Sequence, residues 1–200
     1  MMLQTELDHL YSEQEADAIP LSFASTLSEI TLTDAQRTRL KREKEDETIH
    51  AGEIIPLYDE QGELKEVVVG YNEKEPLFTL GDSYQKLPLG HYRLPETLGE
   101  EALYNHLLAF GLGAYQFNQY KQAKQRAISF YLPENVAKRV KNALSAHYLI
   151  RDLINEPANT LTPDNFVTQI RAELLGFPVT IKEIVGSELL TQNFPLIYTV

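Results

Sequence analysis

The sequence predicts an α/β protein: a mixed-sheet N-terminal domain joined by a long helix to the truncated start of a second α/β domain. Three observations carry this. Short apolar runs of strand length alternate with helical stripes along the chain. Val67, Val68 and Val69 form a run with no polar face, as in a strand covered on both sides. A helical pattern over 134–155 has mixed α/β material before and after it.

Taken in order, AIPLSFAS (18–25) suits a buried strand. Thr33-Asp34 followed by AQRTRLKREKEDE suits a capped, exposed helix, with the charge run 41–47 as its solvated face. EIIPLYDEQGELKEVVVGY (53–71) reads as a hairpin, because Gly62 can take the positive φ that a short loop needs. LGHYRLP (89–95) is a short strand bounded by prolines.

From Gly99 the period changes. Leu103, Leu107, Phe110, Ala114 and Phe117 make the stripe of a helix running to about Tyr120. Gly111 and Gly113 inside it cost roughly 1 kcal/mol each against Ala, so they are read as admitting a close neighbour such as a crossing strand. AISFYLP (127–133) is a further strand.

After Pro133 a second helix carries Val136, Val140, Ala143, His147, Ile150 and Ile154 on one line, with Ala137, Leu144 and Tyr148 beside it. So wide an apolar surface predicts burial between two bodies, with His147 in a hydrogen-bonded packing role. Pro157 ends this helix, and Thr162 caps a new one with Pro163 at its first position, leaving 156–161 as a tight elbow. Beyond it, FPVTIKEI (177–184) reads as a strand, GSELLTQN as a short helix capped by Ser187, and PLIYTV as a strand in which the chain has been cut. The expected divisions are 1–132 for the N-terminal α/β domain, 133–161 for the linker helix and elbow, and 162–200 for the start of the next domain.

Composition excludes several functions. With 18 Lys plus Arg against 29 Asp plus Glu the net charge is -11, which repels phosphate backbones, so no nucleic-acid partner is expected. The absence of cysteine removes disulfides, thiolate nucleophiles and Cys-ligated zinc, and fits a reducing compartment. No apolar run approaches a membrane span and the opening residues MMLQTELDHLYSEQEAD lack a signal-peptide core, so a cytoplasmic protein without a membrane partner is expected.

Chemistry is harder to find. His9, His50, His91, His106 and His147 show no metal-ligand spacing. The serines of GDSYQ and VGSEL lack the second glycine of a nucleophile elbow. FGLGAYQF has the G-x-G spacing of a dinucleotide loop, but Gln116 stands in the third glycine's place and no strand precedes it. The richest stretch is RDLINEPANTLTP (151–163), where Arg151, Asp152, Asn155 and Asn159 surround a chain reversal. Residue chemistry favours a structural reading over a ligand site: these side chains would satisfy backbone groups of the elbow.

Arg151, Asp152, Asn155, Pro157, Ala158, Asn159 and Pro163 together resemble the RDLxNxPANxxxP signature of the leucyl (cytosol) aminopeptidase family, metal-dependent exopeptidases. LGAYQFNQYK (112–121) is similar to the LGAYRFxRYR segment of bacterial members, and QNFPLIYTV (192–200) to the run into their catalytic domain; the likeness extends from about residue 88 onward. The resemblance implies a macro-like N-terminal domain, with the signature as the joint to a catalytic α/β domain. Glu156 stands where many relatives carry threonine.

It further implies that the longer parent uses a pair of divalent ions, manganese, zinc or magnesium. They would polarise the scissile carbonyl and activate water to release N-terminal residues from peptides. A hexameric homo-oligomer is implied as well. The family's metal ligands lie in motifs beyond residue 200, so no catalytic or metal-binding residue and no cofactor is assigned to this chain, and it is expected to be inactive alone. Its implied work is assembly and access to the active site. One alternative is a stand-alone module binding a nucleotide or ADP-ribose, which would need a phosphate-cradling glycine loop after a strand. Another is an interaction protein with no enzyme attached, against which the apolar end speaks.

Overall fold

The computed structural model describes residues 7–44, 46–72, 74–121 and 124–199, with the side chain of Phe78 left aside. Glu45 of the charge run, the first six residues and the terminal Val200 lie outside the described residues. The chain divides into two compact units, Met1–Asn155 and Glu156–Val200. Among the described residues no helix is long and apolar enough to cross a membrane.

The first unit runs β1 (Tyr11–Ser12), β2 (Ile19–Ala24), α1 (Asp34–Glu43), β3 (Ile54–Tyr58), β4 (Leu64–Gly70), α2 (Ser83–Lys86), β5 (Gly90–Arg93), α3 (Glu100–Ala114), β6 (Ile128–Tyr131) and α4 (Glu134–Asn155). The six strands lie in the order β1-β6-β5-β2-β4-β3. All neighbours are parallel except β3 and β4, the antiparallel hairpin at one edge. The sheet is therefore mixed, as the alternation of elements predicts.

Local chemistry explains these boundaries. Thr33 accepts from the Gln36 backbone while the Gln36 side chain returns to the Thr33 backbone, a capping box that starts α1. In the hairpin loop the Asp59 carboxylate accepts from the backbones of Gln61 and Glu63, both at 2.9 Å, and Gly62 sits at φ 82°. Val67, Val68 and Val69 are completely buried. Val67 and Val69 join the main core with α3 and α4, whereas Val68 joins a smaller core with Leu40 of α1. Helices thus cover β4 on both faces, and that is why its sequence has no polar side.

Helix α3 lies in the main core through Leu107, Leu108, Phe110 and Ala114. Its glycines are contact points: a Cβ on Gly111 would stand 2.4 Å from Leu144 of α4 and 2.5 Å from the Tyr11 hydroxyl. One on Gly113 would stand 1.6 Å from the carbonyl oxygen of Gly81. Close approach is the reason for both, although the neighbours are a helix, the Tyr11 side chain and a loop backbone rather than a crossing strand. The helix also stops at Ala114, short of Tyr120, because Tyr115 turns to ψ 133°. Phe117 is outside it.

Helix α4 packs on the same core. Val136, Val140, Leu144 and Tyr148 are its buried residues, each contributing about 1.5–3 kcal/mol for the larger side chains. The other expected line is not buried along its length: Ile150 is 55% exposed, Ile154 74%, and His147 is exposed rather than packed. One helical face cannot meet the core with both lines, and Leu144 and Tyr148 win the contact with α3.

The second unit holds α5 (Pro163–Glu173), α6 (Glu188–Thr191) and α7 (Pro195–Tyr198). Thr162 caps α5 through the Asn165 backbone and Pro163 sits in its first turn. Residues 177–184 form no strand, since the ladder partner that a strand requires is missing from the described residues. Pro195–Tyr198 is a helical turn rather than a strand, in keeping with proline's fit to a first helical turn. Ser187 makes no side-chain cap bond. No described residue of this unit is buried, and Leu175, Phe177, Val185, Leu196 and Ile197 are each more than 60% exposed.

The close approach at α3 is testable. Gly113→Ala drives a methyl into a backbone carbonyl and should lower stability by about 3 kcal/mol in urea unfolding. Gly99→Ser, at the open N-cap of the same helix, should hold or raise it by a few tenths.

Candidate functional site

The signature residues of the first unit converge on one side chain that sequence reading did not single out, Tyr115. Its hydroxyl donates to Asp152 Oδ1 at 2.7 Å and accepts from Asn155 Nδ2 at 3.0 Å. The Arg151 guanidinium lies 4.2 Å from the ring centroid and donates to the carbonyl of Leu112 at 2.7 Å. Tyr148 meets the ring edge-on at 5.0 Å and donates to the carbonyl of Gly111 at 2.6 Å. Burial, and then the Asp152 carboxylate, push the Tyr115 hydroxyl up to about 12, so it stays protonated.

This arrangement has a clear structural logic. The last carbonyls of α3 have no helical partner, and Tyr148 and Arg151 of α4 supply donors to two of them. Arg151, Asp152 and Asn155 thus reach the end of α3 and the residue that follows it. The spacing i, i+1, i+4 sets Arg151 beside Asp152 and Asn155 one helical turn on from Arg151, which brings all three within reach of one ring.

The rest of the signature belongs to the second unit. Pro157 accepts at its carbonyl from the backbones of Thr160 and Leu161 at 2.8 and 2.9 Å, closing a turn over Ala158 and Asn159. Asn159 is exposed, and the carbonyl of Thr160 is satisfied by Asn165 Nδ2 at 2.7 Å. Pro163 opens α5. None of these residues presents the convergent donors of a ligand site.

Other candidates resolve into packing. Ser83 of GDSYQ is buried and donates to the carbonyl of Leu80 at 2.7 Å. His91 sits between Ser129 Oγ at 2.9 Å and the carbonyl of Gln14 at 2.8 Å. His106 is 3% exposed, stacks on Phe23 at 4.5 Å, and its Nδ1 has no hydrogen-bond partner. Among the described residues no group of three or more His, Asp or Glu comes together as a metal site.

The nucleotide alternative is not favoured. Gly111 and Gly113 lie inside α3 with their open sides filled. Just past β2, where ligands of open α/β sheets bind, the Ser25 backbone N–H already donates to Glu29 Oε2 at 2.9 Å and Thr26 Oγ1 to Glu29 Oε1 at 3.0 Å. An internal carboxylate occupies that position. A cleft of about 310 Å³ lies between α1 and β3, lined by Gln36, Arg39, Lys44, Glu53 and Tyr58 among others. Its charges are paired within the chain, Arg39 with Glu43 and Lys44 with Glu53.

Comparison with known proteins places these features. Residues 19–133 match the family described as M17 aminopeptidase, N-terminal domain. The fold is similar to the cytosol aminopeptidase of Coxiella burnetii, with a TM-score of 0.83 and 30% identity over 92% of this chain and 41% of that one. It is also similar to a tomato leucine aminopeptidase mutant, at TM-score 0.60 and 16% identity, covering 91% of this chain and 45% of that one. The bottromycin maturation enzyme BotP in complex with Mn gives TM-score 0.60 and 19% identity, covering 80% and 36%. The last two are likenesses of fold alone. The chain spans about two fifths (41%) of the Coxiella protein. No curated protein matches the sequence.

Burial holds the pKa of His106 below its ordinary 6.5. The neutral ring's contribution to stability is therefore complete above pH 6.5 and is lost as pH falls toward the lower folded-state value. Tyr71, 6.5 Å away, is the only titratable ring in contact with it among the described residues. His106→Phe should lose less stability than the parent sequence between pH 7 and about 5, measured by urea unfolding across that range.

Proposed function

Because the chain belongs to the M17 aminopeptidase family through its N-terminal domain, we propose that it is the non-catalytic N-terminal region of a metal-dependent leucyl aminopeptidase. The whole enzyme releases N-terminal residues from peptides, and this region serves assembly and access to the active site. The observation that carries the reading is the likeness to the Coxiella cytosol aminopeptidase over 92% of this chain.

The metal pair belongs to the longer protein. Manganese is named with one structural relative, and such ions polarise a carbonyl and activate water. The described residues of this chain do not fit that pair, for they bring no carboxylates or imidazoles together in threes. Their task is to fold, to hold the neighbouring domain and to contribute contacts in a homo-oligomer, a hexamer by family resemblance. A cytosolic setting agrees with a chain that has no cysteine.

Exposed apolar surface supports the same reading. Ile150 and Ile154 stand on the outer face of α4. The second unit buries none of its described residues, a condition that bodies of about 40 residues do not sustain alone. Both surfaces suit cover by the remaining part of a catalytic domain.

Two measurements follow from this. The 200-residue chain should not hydrolyse leucine p-nitroanilide with or without manganese, while the longer product of the same gene should do so and be stimulated by the metal. A stop codon directly after Val200 would sink the proposal. In the longer protein, Ile150→Asp with Ile154→Asp should lower the melting temperature and shift the oligomer toward smaller species on size-exclusion chromatography. The same pair should change the stability of the 200-residue chain by less than about 0.5 kcal/mol, since both sites are exposed there.

A further inference from the structure

We propose that Tyr115, Arg151, Asp152 and Asn155 form a latch that decides whether α4 stays helical to its last residue or frays over its final turn. The inference stands on the hydrogen bonds at the end of α4 and does not depend on the aminopeptidase reading.

The reason lies in what holds the last turn of α4. The last buried residue of that helix is Tyr148. Beyond it Ile150 and Ile154 are exposed, and Arg151, Asp152 and Leu153 are only half-buried. Apolar burial therefore supplies little to residues 151–155, and a helix end without tertiary support frays.

Polar contacts take its place, and they meet at one ring. Asp152 and Asn155 share the Tyr115 hydroxyl, one accepting from it and the other donating to it. Arg151 stacks on the face of the same ring while its guanidinium binds the carbonyl of Leu112. Tyr115 itself is fixed by its place directly after α3 and by its edge-on contact with Tyr148. One tyrosine thus contacts three residues of the last turn.

Position makes the latch consequential. Pro157 disfavours helical geometry at Glu156 and donates no backbone hydrogen bond, so the helix cannot extend to gain support further on. With the latch closed, α4 is ordered to its last residue, where the first compact unit also ends. With it open, the last turn of α4 frays.

Hydrogen exchange on the 200-residue chain tests this with Tyr115→Phe, which removes the hydroxyl and keeps the ring. The backbone amides of 152–155 should exchange about tenfold faster, the loss expected for one to two hydrogen bonds, while those of 136–148 keep their protection. Trypsin cleavage after Arg151 should rise in parallel. Ile154→Ala serves as the control and should change none of these beyond its small propensity effect. Unchanged protection in both Tyr115→Phe and Arg151→Met would overturn the latch. So would a loss of protection spread evenly over α3 and α4, because the residues would then be ordinary parts of the global core.

Discussion

The first unit depends on how near other groups come to the C-terminal half of α3. Gly111 and Gly113 leave that helix without Cβ atoms at two points on different faces, the first filled by Leu144 and the Tyr11 hydroxyl and the second by the Gly81 backbone. Three separate parts of the chain, β1, the loop before α2 and α4, are thereby held to one helix. Each glycine lowers helix propensity by roughly 1 kcal/mol. Well-packed contacts from three directions offset that cost, and larger residues would exclude them. Tyr11 then donates to the Leu107 carbonyl, and Tyr148 and Arg151 reach the carbonyls of Gly111 and Leu112. Close packing and carbonyl satisfaction are two results of the same approach.

Much of this is legible in the sequence wherever the cause is local. The capping box at Thr33 and Gln36, the turn at Gly62 and the start of α5 at Pro163 each involve residues within four positions of each other, and short-range patterns report them well. Val67 to Val69 report a sheet covered on both faces because the covering is uniform along the strand. The glycines of α3 announce close approach without saying what approaches. Partners that lie far off in sequence leave no such trace. Tyr115 is 37 residues from Asp152 and 40 from Asn155, and nothing in LGAYQF marks its hydroxyl as the group on which a later helix closes. His106 is hidden for the same reason, since its surroundings come from β2 and the end of β4.

The misread segments share another cause. Residues 177–184 have the alternation of a strand, but alternation describes the side chains, and a strand exists only when its backbone finds a ladder. The stripe through His147, Ile150 and Ile154 is a true apolar line that the first unit leaves uncovered. In both places an apolar pattern stays exposed among the described residues.

The same reasoning explains why polar groups hold the end of α4. A helix cannot bury one face twice. If Ile150 and Ile154 are kept for a neighbouring domain, they cannot also anchor the last turn to the core of the first unit, and another force must fix its register. Hydrogen bonds and a stacked guanidinium suit that task, because they act from the side of the helix nearest Tyr115 and leave the outer face free. They are also directional, so they fix the rotation of the helix about its axis more tightly than an apolar contact of similar strength. The sequence favours a structural role for the signature over a ligand site, and the polarity of Arg151, Asp152 and Asn155 follows from the directional contacts by which they hold the last turn of α4 to Tyr115 and Leu112.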